Sequence, residues 1–390
     1  MSKVALRRSH RGGNRPPFEV IALLLQGGGA LGSYQAGVYQ ALAEADLHPD
    51  WVAGISIGAI NSAIIAGNPP DKRVDRLAEF WEGITQEYGL GVLGGIVPGF
   101  VQGNEERGAF NRLSSAASLL AGTPGFFKPR LPPPYLHAPG SPGATSWYET
   151  GELQATMERL VDFDRINAGE MRFTVGAVNV RTGNLILFDN RTHRIALHHV
   201  IAGGSLPPGF PATEIEGEHY WDGGLVSNTP LNWVIDAEPP RDTLAFQVDL
   251  WAAQGAFPSD LAEVLARTKE IQYSSRTRLS TDMLKYRQKI RHIVGSLLDK
   301  LPPELQHEPE VEFLRPLCTE KVVSMVHLIY RTRDYENQAK DYEFSRRTMR
   351  EHWDAGYHDA VRTLRHPEAL ERPEPLECVR TFDLGRDSRE

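Results

Sequence analysis

Cysteine is nearly absent. Cys318 and Cys378 are the two in 390 residues, too few for a disulfide framework and without C-x-x-C spacing, which fits a reducing compartment and argues against a structural zinc site. Long apolar runs are missing as well. The longest, Ile21 to Leu25 and Val52 to Ile65, fall short of a membrane span. The basic N-terminus, MSKVALRRSHRGGNRPPFEV, has no apolar stretch before Phe18, so no secretory signal is read there. Nor is there a positive excess: 42 Lys+Arg stand against 50 Asp+Glu, a net charge of −8, which argues against nucleic acid as a partner. No H-x-x-x-H or H-E-x-x-H spacing occurs among the 13 histidines, so no metal is expected. No internal repeat is found. What remains is a chain expected to be cytoplasmic, with 41% hydrophobic residues and enough length for one large domain or two ordinary ones.

Residues 1–17 are polar and rich in Arg and Gly, and are expected to be flexible. Order begins at Phe18 to Leu25, an apolar run of strand length whose lack of alternation predicts a strand covered on both faces. Glycines break it, and Tyr34 to Ala45 then reads as a helix. A second strand, Trp51 to Ile55, and a second helix, Gly58 to Ala66, repeat the pattern, which is that of an α/β fold. Residues 89–143 are dense in Gly and Pro and are expected to be a loop-rich insertion, either a lid or a disordered segment. The apolar residues Leu90, Val92, Leu93, Ile96, Val97, Phe100, Phe126 and Phe127 inside it favour packing against lipid or protein. Further strands are expected at Met171 to Val180, Leu185 to Asp189, Leu244 to Leu250 and Val322 to Tyr330. Helices are expected over 259–300 and about Ser345 to Arg365. From Arg267 to Arg291 there is a local positive bias, read as a solvated helix face or a surface attractive to anionic headgroups.

Chemistry concentrates at the strand-to-helix junctions. Gly27-Gly28-Gly29-Ala30-Leu31-Gly32 satisfies G-x-G-x-x-G, which invites a nucleotide-binding reading. Such a site also needs an acid at the end of the second strand, to hold ribose hydroxyls. That strand ends instead in Gly54-Ile55-Ser56-Ile57-Gly58. A G-x-S-x-G at this place permits a sharp turn that exposes the Ser56 hydroxyl at a helix N-terminus, where the partial positive charge favours an alkoxide. The glycine loop then acquires a role: amides of Gly28, Gly29 and Ala30, unobstructed by side chains, can converge on an oxyanion. A tight turn or phosphate cradle remains the alternative. For a base, Asp222 precedes Gly223-Gly224 and follows bulky aromatics, so a desolvated carboxylate with a raised pKa is expected. Histidines His193, His198, His199 and His219 flank the later strands, and a Ser-His-Asp esterase stays open as an alternative. The adjacent pair His198-His199 is expected to point to opposite sides of its element, as packing residues.

Taken in order, the Gly27–Gly32 loop, Gly54–Gly58, the segment from Ala202 to Pro211 and Asp222-Gly223-Gly224 resemble the patatin-like phospholipase family. The resemblance covers roughly residues 19–255. It implies a three-layer α/β/α hydrolase with a mainly parallel central sheet and a Ser–Asp dyad, with Ser56 as nucleophile and Asp222 as base. It also implies lipid acyl hydrolysis of phospholipase A, lysophospholipase or esterase type, without a cofactor and with peripheral membrane or lipid-droplet contact. Residues 256–390 resemble the helical C-terminal extension of a bacterial subgroup, with strand 322–330 added to the main sheet. Many relatives carry Arg or Lys where this chain has Ala30-Leu31. Arg181, Arg191 or the 267–291 group are then the candidates for an anion-attracting cation.

Overall fold

The computed structural model describes residues 9–12, 15–86, 103–236, 239–318, 321–333, 335–336, 339–373 and 379–384. In chain order the strands are β1 (Val20–Leu25), β2 (Trp51–Gly54), β3 (Lys128–Pro129), β4 (Tyr148–Glu149), β5 (Arg172–Asn179), β6 (Leu185–Asp189), β7 (Thr213–Ile215), β8 (Glu218–Asp222), β9 (Thr243–Asp249), β10 (Val323–Ile329) and β11 (Val379–Phe382). The helices are α1 (Ser33–Glu44), α2 (Ile57–Ala66), α3 (Arg73–Ile84), α4 (Asn104–Ala121), α5 (Gly151–Leu160), α6 (Phe163–Ala168), α7 (Leu197–Gly203), α8 (Leu231–Ile235), α9 (Leu261–Leu298), α10 (Pro309–Leu314) and α11 (Arg346–Leu364).

Nine strands form one sheet in the order β11-β10-β9-β1-β2-β5-β8-β7, with β6 also paired to β5. The pairs from β11 across to β5 are all parallel, and β6, β7 and β8 join antiparallel at the far side. Every residue of β1 is buried, as the unbroken apolar run predicts. Its side chains divide by parity: Ile21, Leu23 and Leu25 enter the larger core with α1, α2, α3 and α11, whereas Val20, Ala22 and Leu24 pack with Leu231 and Val234 of α8 and Leu284 of α9. Helices thus cover both faces, giving three layers.

One edge of β5 brings two strand ends together. Residues Ala177 and Val178 pair with β6 and also with β8, so those two strands lie on opposite edges. Thr174 and Val175 pair with β6 and with β2. Hence β2 and β8 share one edge of β5. They approach head-on: β2 ends at Gly54 opposite Val175, and β8 ends at Asp222 opposite Ala177.

Two local outcomes differ from the sequence pattern. Within the Gly/Pro-dense segment, α4 occupies 18 residues with a single glycine and no proline, because composition averaged over 89–143 conceals a helix-compatible stretch between two breaker-rich ones. Leu90, Val92, Leu93, Ile96, Val97 and Phe100 lie outside the described residues, whereas Phe126 and Phe127 are buried. In the N-terminal segment read as flexible, His10 is buried and its Nε2 lies 3.0 Å from Glu44 Oε2.

Candidate active site

The G-x-S-x-G segment forms a strand–turn–helix junction in which Ser56 adopts φ 54°, ψ −126° and caps the N-terminus of α2. A non-glycine residue there is strained by about 1–3 kcal/mol, a cost that persists where surrounding structure enforces it. Enforcement comes from both sides. The Ser56 amide donates to the Gly203 carbonyl at 3.1 Å. A Cβ on Gly58 would stand 2.2 Å from the Leu25 carbonyl oxygen, so only glycine lets α2 begin this close to β1.

The glycine loop leaves β1 and becomes a 3-10 turn over Gly29–Gly32. Amides of Gly28, Gly29 and Ala30 fall at its start, where a helical turn leaves donors without internal partners. Gly29 has φ +56°, and a Cβ there would meet the Asp341 carbonyl oxygen at 2.1 Å. The C-terminal region therefore abuts the loop directly.

Buried polar side chains hold the loop from below. Asn61 Nδ2 donates to the Gly32 carbonyl and to Gln35 Oε1, each at 2.9 Å, and Asn61 Oδ1 accepts from Trp81 Nε1 at 3.1 Å. Gln35 Nε2 donates to the Gln26 carbonyl at 2.6 Å, and Gln26 Oε1 accepts the Leu250 amide at 2.6 Å. Trp251 Nε1 and Asn228 Nδ2 both donate to the Gly27 carbonyl, at 2.8 and 3.1 Å. None of these residues is singled out by sequence pattern. Their only signal is polarity inside otherwise apolar segments.

Asp222 is 1% exposed. Its Oδ1 accepts the Gly224 amide at 2.7 Å, and Oδ2 is buried with no partner in hydrogen-bonding geometry among the described residues. Burial pushes the carboxyl up to about 6, while the nearby Ser56 hydroxyl and the Gly224 amide pull it down. Ser56 is thus close enough to favour the charged carboxylate without completing a hydrogen bond. Catalytic hydrogen bonds in substrate-free sites are often long or poorly aligned.

Ser56, Asp222, Gly27, Gly28, Gly29 and Gly224 line one cavity of about 270 Å³. Its walls are aromatic: Phe127 touches Tyr148, Phe210 and Phe344 with ring centroids 4.8, 5.5 and 6.0 Å apart. No described histidine lines it. His198 and His199 do not diverge as expected, because both sit on α7 with ring centroids 4.2 Å apart. His199 caps that helix by accepting the Ala196 amide at Nδ1 (2.9 Å), and burial lowers it to about 4. Arg181 is paired with Glu218 at 2.6 Å. Arg191 lies at a separate cavity of about 60 Å³ beside the N-terminal ends of β1 and β2. Neither supplies a cation to this site. From the basic group, Lys269 binds Asp341, a wall residue, at 2.8 Å.

Residues 23–234, more than half of the chain, match the family described as patatin-like phospholipase. The chain belongs to the patatin-like phospholipase family. Residues 271–376 match a second pattern described as patatin phospholipase, so this patatin-like chain also carries the C-terminal region of that subgroup. Among solved structures, the crystal structure of VipD from Legionella pneumophila is similar at 15% identity and a TM-score of 0.37, over 94% of this chain and 67% of that one. No functionally curated protein matches. Membership in a phospholipase family supports lipid hydrolysis as the broad activity.

Proposed function

We propose that the protein is a serine hydrolase of lipid carboxylic esters, with Ser56 as nucleophile and Asp222 as its base. The observation that carries this reading is the head-on approach of β2 and β8 along one edge of β5, which brings the Ser56 turn to the buried Asp222 carboxyl. The acyl chain occupies the aromatic cavity. Asp222 Oδ2 takes the hydroxyl proton as Ser56 Oγ attacks the ester carbonyl, and the amides of Gly28, Gly29 and Ala30 receive the oxyanion. The alcohol leaves with a proton from Asp222, and water activated by the same carboxylate cleaves the acyl-enzyme. No cofactor enters the sequence.

No described helix is long and apolar enough to cross a membrane. Contact with lipid is assigned to the cavity rim, where Leu119, a wall residue, and its neighbour Leu120 are exposed. Apolar rim and apolar cavity together suit an acyl chain better than a nucleotide.

Ser56→Ala and Asp222→Asn, each shown folded by circular dichroism, should lose turnover on p-nitrophenyl butyrate by about 10³-fold or more. A fluorophosphonate probe should label Ser56 in the unmodified protein. Full activity in either variant, or labelling elsewhere, removes the assignment.

A further inference from the structure

Helix α9 is apolar on two opposite faces. Its inner face buries Thr281, Leu284, Gln288 and Leu298, of which Leu284 joins the smaller core cluster. An outer face over a soluble core is ordinarily polar. Here Leu279, Met283, Tyr286, Ile290, Ile293 and Leu297 stand on it, between 42% and 64% exposed. Their separations run 4, 3, 4, 3 and 4 residues, the alternation that keeps one seam of a helix against a partner helix. At 1.5 Å rise per residue the seam is ~27 Å long.

Within 279–297 the apolar residues keep to one narrow seam, with Asp282 and Lys289 next to it on one side, Arg287 on the other, and Lys285 and Arg291 farther round; nearer the N-terminus of α9, Leu261, Val264, Leu265 and Ile271 are exposed as well. A helix lying in a lipid surface would present a broader apolar face lined by cations. We propose that this face pairs with the same face of a second copy of the chain, as a parallel two-helix coiled coil. Met283, Ile290 and Leu297 fill one of the two alternating core positions, and Leu279, Tyr286 and Ile293 fill the other. Parallel pairing sets Asp282 of each copy beside Arg287 of the other. Antiparallel pairing of the same seam would set Lys289 against Lys289, which repels. Arg287 already pairs with Asp236 of its own chain, so Asp282 of the other copy would share that guanidinium with Asp236. No seam residue lines the cavity around Ser56, so the pairing is independent of the catalytic reading.

Light scattering of the full-length chain should give the mass of two chains. Ile290→Arg should weaken association by about tenfold or more with esterase turnover per folded chain unchanged. Tyr286→Cys should form, on oxidation, a disulfide joining position 286 of two chains, identified by peptide mass. A monomeric wild type, or a dimer indifferent to Ile290→Arg, overturns the proposal. So does a monomer that binds phosphatidylcholine vesicles through this face and loses that binding in Ile290→Arg. A dimer in which Tyr286→Cys fails to cross-link, while the double variant Tyr286→Cys/Ile290→Cys does, overturns the parallel arrangement.

Discussion

Ser56 at φ 54° places backbone strain at the atom proposed to do chemistry, and that strain has a measurable counterpart. Ser56→Gly relieves it at once, since glycine adopts this conformation without steric cost. The variant should be inactive yet more stable by about 0.5–2 kcal/mol; a melting temperature at or below that of the wild type would show the turn to be unstrained. Asp222 makes a second prediction at this scale. Its carboxyl is raised from 3.8 to about 6 by burial, so the folded protein holds that proton more tightly than the unfolded chain. Its contribution to stability is therefore full below about 4 and is lost as pH rises through about 6. Relative to Asp222→Asn, the wild type should lose a few kcal/mol across that window and no more above it, which urea titrations at several pH values will read. The rate has the opposite sign. A base must be ionised, so turnover should fall as pH drops through about 6, and a flat rate profile down to pH 4 would exclude Asp222 as base.

At the scale of elements, the short turn at Lys340–Tyr342 ties the C-terminal region to the glycine loop. Lys340 Nζ lies 2.7 Å from Glu270 Oε1, both residues being buried, and stands 5.2 Å from the centre of the Trp251 ring, whose Nε1 holds the Gly27 carbonyl. Burial raises the Glu270 carboxyl, but Lys340 and Arg267 more than offset this and hold it below the usual carboxylate range. Removing one member of a buried pair typically costs about 3–5 kcal/mol. Because Arg267 remains 3.0 Å from Glu270, Lys340→Met should cost less, about 2–3 kcal/mol, and should slow turnover through the loop. An unchanged denaturation midpoint would show that the pair contributes nothing. The junctions around β1, β2 and α2 were legible because glycine spacing and apolar run length are local properties. Strand β8 was not, since five residues ending at an Asp-Gly-Gly turn carry too short a pattern to separate strand from loop. Helix α9 was legible as a helix, but its charge bias pointed to a solvated or headgroup-facing surface. The apolar seam emerges only once the core is seen to use the opposite face.

For the whole molecule, the second family region completes the first. Strand β10 extends the sheet by pairing with β9, and α11 lies across α1 with glycines at the crossing: a Cβ on Gly37 would be 1.9 Å from the Trp353 carbonyl oxygen, and one on Gly356 2.0 Å from that of Tyr34. A chain ending after Gly255 would expose the β9 edge and the buried face of α1 together. It should be recovered as aggregate, or without a cooperative melt. A soluble, cooperatively melting and active truncation would show that the first region folds alone.

The order of motifs along the chain, the doubly buried β1, the glycine loop and the turn at Ser56 were all determined by sequence, because each depends on residues within one or two turns of one another. Tertiary structure alone decided how the ends of β2 and β8 come to face each other, which polar side chains hold the loop, and which face of α9 is left to solvent. Those outcomes depend on which edge of β5 each strand occupies and which side of the sheet each helix covers, and such choices are made by packing between segments far apart in the chain.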